Sequence, residues 1–221
     1  MISHPGWSET SYTATAVSDD PDQQVEEVIG MMRGYVEQDY RAPEVAEQAH
    51  QAMARAGGAD PVEAVFHHIK GQLSFLRDET AALPMQPNHD IPIVEVLIRP
   101  IDMATMCASG QCRRAGDCDD YTMYAAALLM NLGVDVSFIT LAADAADPTR
   151  YSHVYLAAYP DGRGGRRVAV DVSHGPYAGW EAPDQWGKRR EWPVGDGGGG
   201  WMKWLARGGL VYMAARMGGF A

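Results

Sequence analysis

Apolar residues recur at helical spacing in four stretches of this chain and alternate at strand spacing in three more, which predicts a mixed fold. Over 21–40, Val25, Val28, Ile29, Met32, Tyr35 and Val36 describe one stripe behind Pro21, a residue well suited to a first helical turn. A second helix is expected over 43–56, ended by Gly57-Gly58. A third restarts at Asp60-Pro61 with Val62, Val65, Phe66 and Ile69 on one side. These amphipathic faces are expected to pack on a core, although the first stripe would also suit an oligomer interface. The fourth helix, from Cys118 to about Leu132, is apolar on every side and reads as central and buried, with Gly133 as its stop. Strands are predicted over 134–141, 152–158 and 167–172, the last two joined by a Pro160-to-Gly165 turn.

Two of these elements carry candidate chemistry. Gly116-Asp117-Cys118-Asp119-Asp120 opens the fourth helix, with Asp117 as N-cap and Asp120 in the capping-box position. A cysteine thiol ordinarily ionises at about pH 8.5, and a helix N-terminus or a neighbouring imidazole lowers that value, making a nucleophile. The plainer reading of Cys118 is a small buried hydrophobe. The aspartates would oppose thiol ionisation if they faced it, so they are expected to point outward as caps. Asp119 and Asp120 are also candidates to bind a cationic substrate group such as a lysine amine.

His153 and Asp171 stand equidistant from Gly162. An antiparallel hairpin centred there sets them opposite each other, on the face away from Val154, Leu156, Ala158, Val168, Val170 and Val172, with Cβ atoms roughly 5 Å apart. An imidazole oriented by a carboxylate is half of a nucleophilic triad. The bland alternative is a satisfied sheet histidine. His67 and His68 read as partly exposed helix residues rather than ligands.

The order Cys118, His153, Asp171, set as GDCDD, SHVYL and VAVDVS, resembles the transglutaminase-like superfamily, whose fold is related to papain-like cysteine peptidases. The resemblance spans roughly 61–179: a lead-in helix, Glu95 to Pro100 as a strand or turn ending in proline, a short loop, GDC, an apolar helix ending in glycine, and the strands. It implies an α+β domain in which a central nucleophile helix packs on an antiparallel sheet, with N-terminal helices added. It also implies a Cys118 nucleophile, a His153 general base and acid, an orienting Asp171, and acyl transfer through a thioester on peptide or side-chain amides, without a cofactor. The backbone N–H of Cys118 would be one oxyanion donor; Gln111 is a candidate for the second by analogy with papain-like enzymes, against its reading as a surface glutamine. Short chains of this GDCDD form also resemble transglutaminase-like proteins of phages and prophages, which implies a virion or assembly role.

Composition sets limits on the alternatives. The 221 residues are 46% hydrophobic and carry a formal net charge of −11, enough for one substantial core and unfavourable for nucleic-acid binding. The basic clusters Arg113-Arg114, Arg166-Arg167 and Lys188-Arg189-Arg190 are short and fall in expected loops. Cys107, Cys112 and Cys118, with His153, can be written as a zinc set, but the spacing lacks a tight C-x2-C pair, and no metal is expected. The expected layout is a flexible polar arm (1–20), N-terminal helices (21–58), a catalytic domain (59–194) that turns irregular and tryptophan-rich beyond Gly179, and a Gly-rich linker with an apolar tail (195–221). The tail is too interrupted by charge to span a membrane. The start lacks signal-peptide regions, which suits a cytoplasmic or virion-associated protein. A structural protein using 1–20 and 201–221 for homo-oligomer or virion contacts is the rival to the enzyme, and a zinc module is the third reading.

Overall fold

The computed structural model describes residues 12–15, 20–75, 95–108 and 114–195. Gln111, Cys112, the rest of the arm and the segment from 196 to the tail lie outside the described residues, as does the side chain of Cys107.

Three helices come first: α1 (Pro21–Asp39), α2 (Pro43–Arg55) and α3 (Pro61–Lys70), each with proline in its opening turn. Aspartate side chains cap two of them. Asp20 accepts from Asp22 N at 2.9 Å and Asp60 from Val62 N at 2.8 Å, satisfying N–H groups that a helix leaves without internal acceptors. Strand β1 (Tyr12–Thr15) precedes these helices. After them come β2 (Leu73–Phe75), β3 (Glu95–Ile98), α4 (Pro100–Ala108), β4 (Arg114–Gly116) and α5 (Cys118–Asn131). Strands β5 (Asp135–Leu141), β6 (His153–Tyr159), β7 (Val168–Val170) and β8 (Arg189–Val194) complete the fold.

Helix α5 is the hub. It is buried from Asp119 through Leu129, and α1, α2, α3 and α4 pack around it on one side and the sheet on the other. The stripe on α1 is spent on this core: Ile29, Met32 and Val36 are buried with the α5 side chains, and Val25, Val28 and Tyr35 lie partly buried against them. Gly133 ends α5 at φ +80°, a left-handed backbone angle that suits glycine.

The four-stranded antiparallel sheet runs β7-β6-β5-β8. Strand parity divides its two faces. Val136, Phe138, Val154, Leu156, Ala158 and Val170 face α5, whereas Ile139, Leu141, Tyr155, Ala157, Tyr159 and Ala169 pack beneath Ala182 and Trp180 from the long segment between β7 and β8. Both faces of β6 are therefore dry, and all seven of its residues are buried.

Four features differ from the sequence reading. The stretch beyond Gly179 is not irregular throughout, because Arg189–Val194 forms β8, an edge strand on β5 that tolerates Pro193 by pairing on one side only. Trp192 anchors it, its indole N–H donating to Thr140 Oγ1 at 2.9 Å. Tyr12–Thr15, within the stretch expected to be a flexible arm, pairs antiparallel with β3. Pro100 opens a helix instead of closing a strand onto a short loop. His68 is buried, 6% exposed, and Nε2 lies 3.2 Å from Gln48 Oε1, while His67 is exposed beside Glu63. Among the described residues no helix is long and apolar enough to cross a membrane.

Candidate active site

The glycine and the last acidic residue of Gly116-Asp117-Cys118-Asp119-Asp120 build the helix start. The Asp120 carboxylate folds back over the helix start, accepting from Asp117 N at 3.3 Å and from Ile98 N in β3 at 2.7 Å. A side chain on Gly116 would meet that carboxylate at 2.8 Å, so glycine is what lets the cap close. Asp117 caps in return, accepting from Asp119 N, and the capping box is complete. The expectation that these acids point outward is corrected: Asp119 and Asp120 are only 3% and 1% exposed. Asp119 Oδ1 accepts the Asp120 N–H at 2.8 Å, and its residue lines the cleft described below. With both Asp120 oxygens receiving backbone N–H groups, its geometry is that of a fastener between α5 and β3.

Cys118 is thereby held at the first position of α5, half-buried, against the core on the α5 side of the sheet. His153 belongs to the opposite face, at the first residue of β6. The end of the sheet where β6 begins is where the two can face each other. A cleft of about 770 Å³ opens there and is lined by Asp117, Cys118, Asp119, His153 and His174. Val25, Val28, Ile29 and Met32 of α1 form one wall, and Trp180 and Trp186 contribute to the lining. The α1 wall is tied to the sheet side by Lys188 to Asp22 at 2.8 Å, Arg190 to Glu26 at 2.8 Å and Arg150 to Gln24 at 3.0 Å.

The imidazole and carboxylate are joined directly, His153 Nε2 lying 2.8 Å from Asp171 Oδ2. The register that brings them together is not the one centred on Gly162. Leu156 pairs with Val170 and Ala158 with Val168, so the hairpin centres on Arg163 and Asp171 falls two residues off the position opposite His153. At the centre of this hairpin Arg163 turns its guanidinium onto the sheet, donating to Ser137 Oγ, Val136 O and Val194 O, each at 2.9 Å. A slip of two preserves the face, because side chains alternate with period 2, and a diagonal pair remains within reach of a long side chain.

Asp171 is fully buried, and both of its oxygens serve the site. Oδ1 accepts from Ser173 Oγ and from the backbone N–H of His174, both at 2.9 Å, while Oδ2 faces His153. Burial pushes its carboxyl up, but the hydrogen bond and charge of His153, with the His174 and Ser173 donors, outweigh this and hold it below the ordinary carboxylate range. It is therefore ionised at neutral pH. Lys70 Nζ secures the same segment from α3 by donating to Val172 O at 3.0 Å. Gly175 turns so tightly over Asp171 O that a side chain there would lie 2.5 Å from that oxygen.

No family model matches this chain, and no curated protein does either. The chemistry of the site thus rests on the residues themselves. Oriented by Asp171 through Nε2, His153 has Nδ1 left to exchange a proton with a nucleophile. Of the candidates named from sequence, Cys118, His153 and Asp119 line one cleft and Asp171 stands behind His153; Gln111 lies outside the described residues. Donor atoms of His153, Asp171 and His174 fall within 4.8 Å of one another, as do those of Asp117, Asp119 and Asp120, which is close enough for a metal ion. In the first group, however, the carboxylate oxygens are engaged by N–H and O–H donors. Sequence reasoning does not single out His174 and Ser173. A signal exists, since both follow closely on Asp171 in the chain.

Proposed function

We propose that this protein is a cysteine-dependent hydrolase or acyltransferase acting on peptide or side-chain amides through a thioester acyl-enzyme, built on a transglutaminase-like, papain-related core. One observation carries the proposal: a buried imidazole–carboxylate pair at 2.8 Å opens onto the same cleft as a cysteine at a capped helix start. Residues from three separate segments supply the groups that thiol catalysis needs: a thiol and an imidazole lining one cleft, and a carboxylate bonded to that imidazole. In this reading His153 Nδ1 takes the Cys118 proton, and the thiolate attacks the amide carbonyl. The imidazolium, stabilised by Asp171, then protonates the departing amine. The backbone N–H of Cys118 is the first oxyanion donor, with Gln111 as candidate for the second. Hydrolysis is favoured over transfer because the cleft is open to water, whereas transfer to an amine requires water to be excluded.

The test is the rate of Cys118 alkylation by iodoacetamide between pH 4 and 9, read by mass spectrometry, in wild type and in His153→Ala. The proposal expects a rate already high at pH 6 that collapses in the variant. A rate climbing only near the ordinary thiol pKa of about 8.5 in both proteins would refute the ion pair and favour an assembly protein that keeps the fold.

A further inference from the structure

Two imidazoles, not one, are attached to the buried carboxylate. Ser173 Oγ lies 2.9 Å from Asp171 Oδ1 and 2.9 Å from His174 Nδ1. Because an ionised carboxylate only accepts, the single hydroxyl proton of Ser173 is directed to Asp171. The serine oxygen is then an acceptor toward His174, and Nδ1 must carry the proton. That fixes the tautomer of neutral His174: Nδ1–H donates to Ser173 and Nε2 holds the lone pair. The backbone N–H of His174 also donates to Asp171 Oδ1 at 2.9 Å, locking the residue to the same carboxylate a second time.

The His174 ring stands edge-on to His153, their centroids 4.6 Å apart at 78°. Its side chain is 55% exposed and lines the cleft that Cys118 lines. His153 spends Nε2 on Asp171, which leaves that residue one proton-transfer nitrogen, at Nδ1. A half-exposed imidazole of fixed tautomer beside it places a second basic nitrogen in the same cleft.

We propose that His174 is a second catalytic base, acting on the water or amine that resolves the acyl-enzyme. The inference rests on the thioester chemistry proposed above. In hydrolysis, His174 Nε2 takes one proton from water as the oxygen bonds to the thioester carbonyl carbon. The tetrahedral oxyanion then collapses, breaking the C–S bond and expelling the Cys118 thiolate. The second water proton passes from the new carboxylic acid to His153, which restores the thiolate–imidazolium pair, and His174 releases its proton to solvent. With an amine as second nucleophile, the same nitrogen takes the amine proton and an amide forms. No further reactant is required.

The variant that isolates this role is His174→Asn, whose side-chain N–H can replace Nδ1–H toward Ser173 while the basic Nε2 is lost. With p-nitrophenyl acetate as probe, the first turnover reports acylation as a burst of p-nitrophenolate, and the steady state reports resolution of the acyl-enzyme. The expected result is a burst rate within about twofold of wild type and a steady-state rate about a hundredfold lower, since a positioned base is typically worth 10²–10⁴-fold. Acetylated Cys118 should then accumulate in intact-mass spectra, and added imidazole should restore turnover in His174→Ala. A residue that only supports the fold would lower both phases together and would not respond to imidazole. Equal burst and steady-state rates in wild type and His174→Asn overturn the role of His174 and leave the thiol reading intact. Absence of a burst in wild type, together with alkylation that does not depend on His153, overturns both.

Discussion

Replacing Asp171 by Asn tests the site by changing one atom. The carboxylate presents Oδ2 to His153 Nε2 at 2.8 Å and Oδ1 to two donors, the Ser173 hydroxyl and the His174 N–H, at 2.9 Å each. An asparagine in the same place has one oxygen and one NH₂ group. With its oxygen toward Ser173 and His174, the NH₂ faces Nε2, which must then give up its proton; His153 becomes the Nδ1–H tautomer and cannot accept a proton from the Cys118 thiol. With the amide turned over, the NH₂ meets the His174 N–H head-on, leaving a buried donor unsatisfied at a cost of about 1–3 kcal/mol. The first orientation keeps more hydrogen bonds, so the fold survives and the tautomer is wrong. In a serine protease triad the same Asp→Asn change leaves the geometry intact and lowers kcat by about 10⁴, through the same tautomer error. A loss on the order of 10³-fold or more is expected here. The assay pairs p-nitrophenyl acetate burst rates at pH 7 with urea denaturation followed by circular dichroism. A variant that loses less than about 3 kcal/mol of stability yet keeps a burst rate within tenfold of wild type would refute the assignment of Asp171 as orienting group.

Two further outcomes follow from buried groups elsewhere. Burial, with the charge of Arg55 added, lowers the His68 pKa from 6.5 to about 4. Between those values the unfolded chain takes up a proton that the folded chain excludes, so His68's contribution is fully present above pH 6.5 and is lost as pH falls toward 4. The loss amounts to about 3 kcal/mol; urea midpoints measured across this window should fall steeply in wild type and more gently in His68→Gln. Asp120→Ala should remove the acceptor of the buried Ile98 N–H together with half of the capping box, costing about 3 kcal/mol. Asp120→Asn, which keeps one acceptor oxygen, should cost less, and equal losses in chemical denaturation would count against the fastening role.

Helices α1, α2, α3 and α5 are legible in the sequence because their signals are local, whereas α4 is not, its opening Pro100 reading as the end of a strand. Proline in the opening turn of α1, α2 and α3, the Asp117–Asp120 box on α5 and Gly133 after it are short-range devices, and the observed bounds follow them to within a residue or so. The face shared by His153 and Asp171 is legible for a similar reason, since parity depends on counting residues along two strands. Their pairing is not. It depends on where the hairpin is centred, and the contacts made from that centre, Arg163 to Val136, Ser137 and Val194, span roughly thirty residues and leave no periodic trace. Strand β8 is hidden because Arg189, Arg190 and Pro193 contradict strand patterning, and they are tolerated where only one side of the strand is paired. The burial of His68 escapes a helical wheel because it depends on a glutamine twenty residues away on α2.

The acids around the cleft show why residue type alone does not assign the site. Asp120 and Asp171 are both buried carboxylates, and both accept backbone N–H groups. The donors that clasp Asp120 from β3 and from the helix start are main-chain N–H groups, which do not change protonation state during a reaction, so their bonds to this carboxylate hold elements together. Asp171 differs by having an imidazole among its partners and, through Ser173, a second imidazole one hydroxyl away. Its charge therefore orients imidazoles, which can pass a proton to or from a reactant, and these groups open onto a cleft that also holds a thiol. Chemistry follows the donors that a carboxylate faces. That distinction separates Asp171 from Asp120, and it makes the segment from Asp171 to Gly175, with the turn that brings His174 beside His153, as much a part of the site as the helix that carries Cys118.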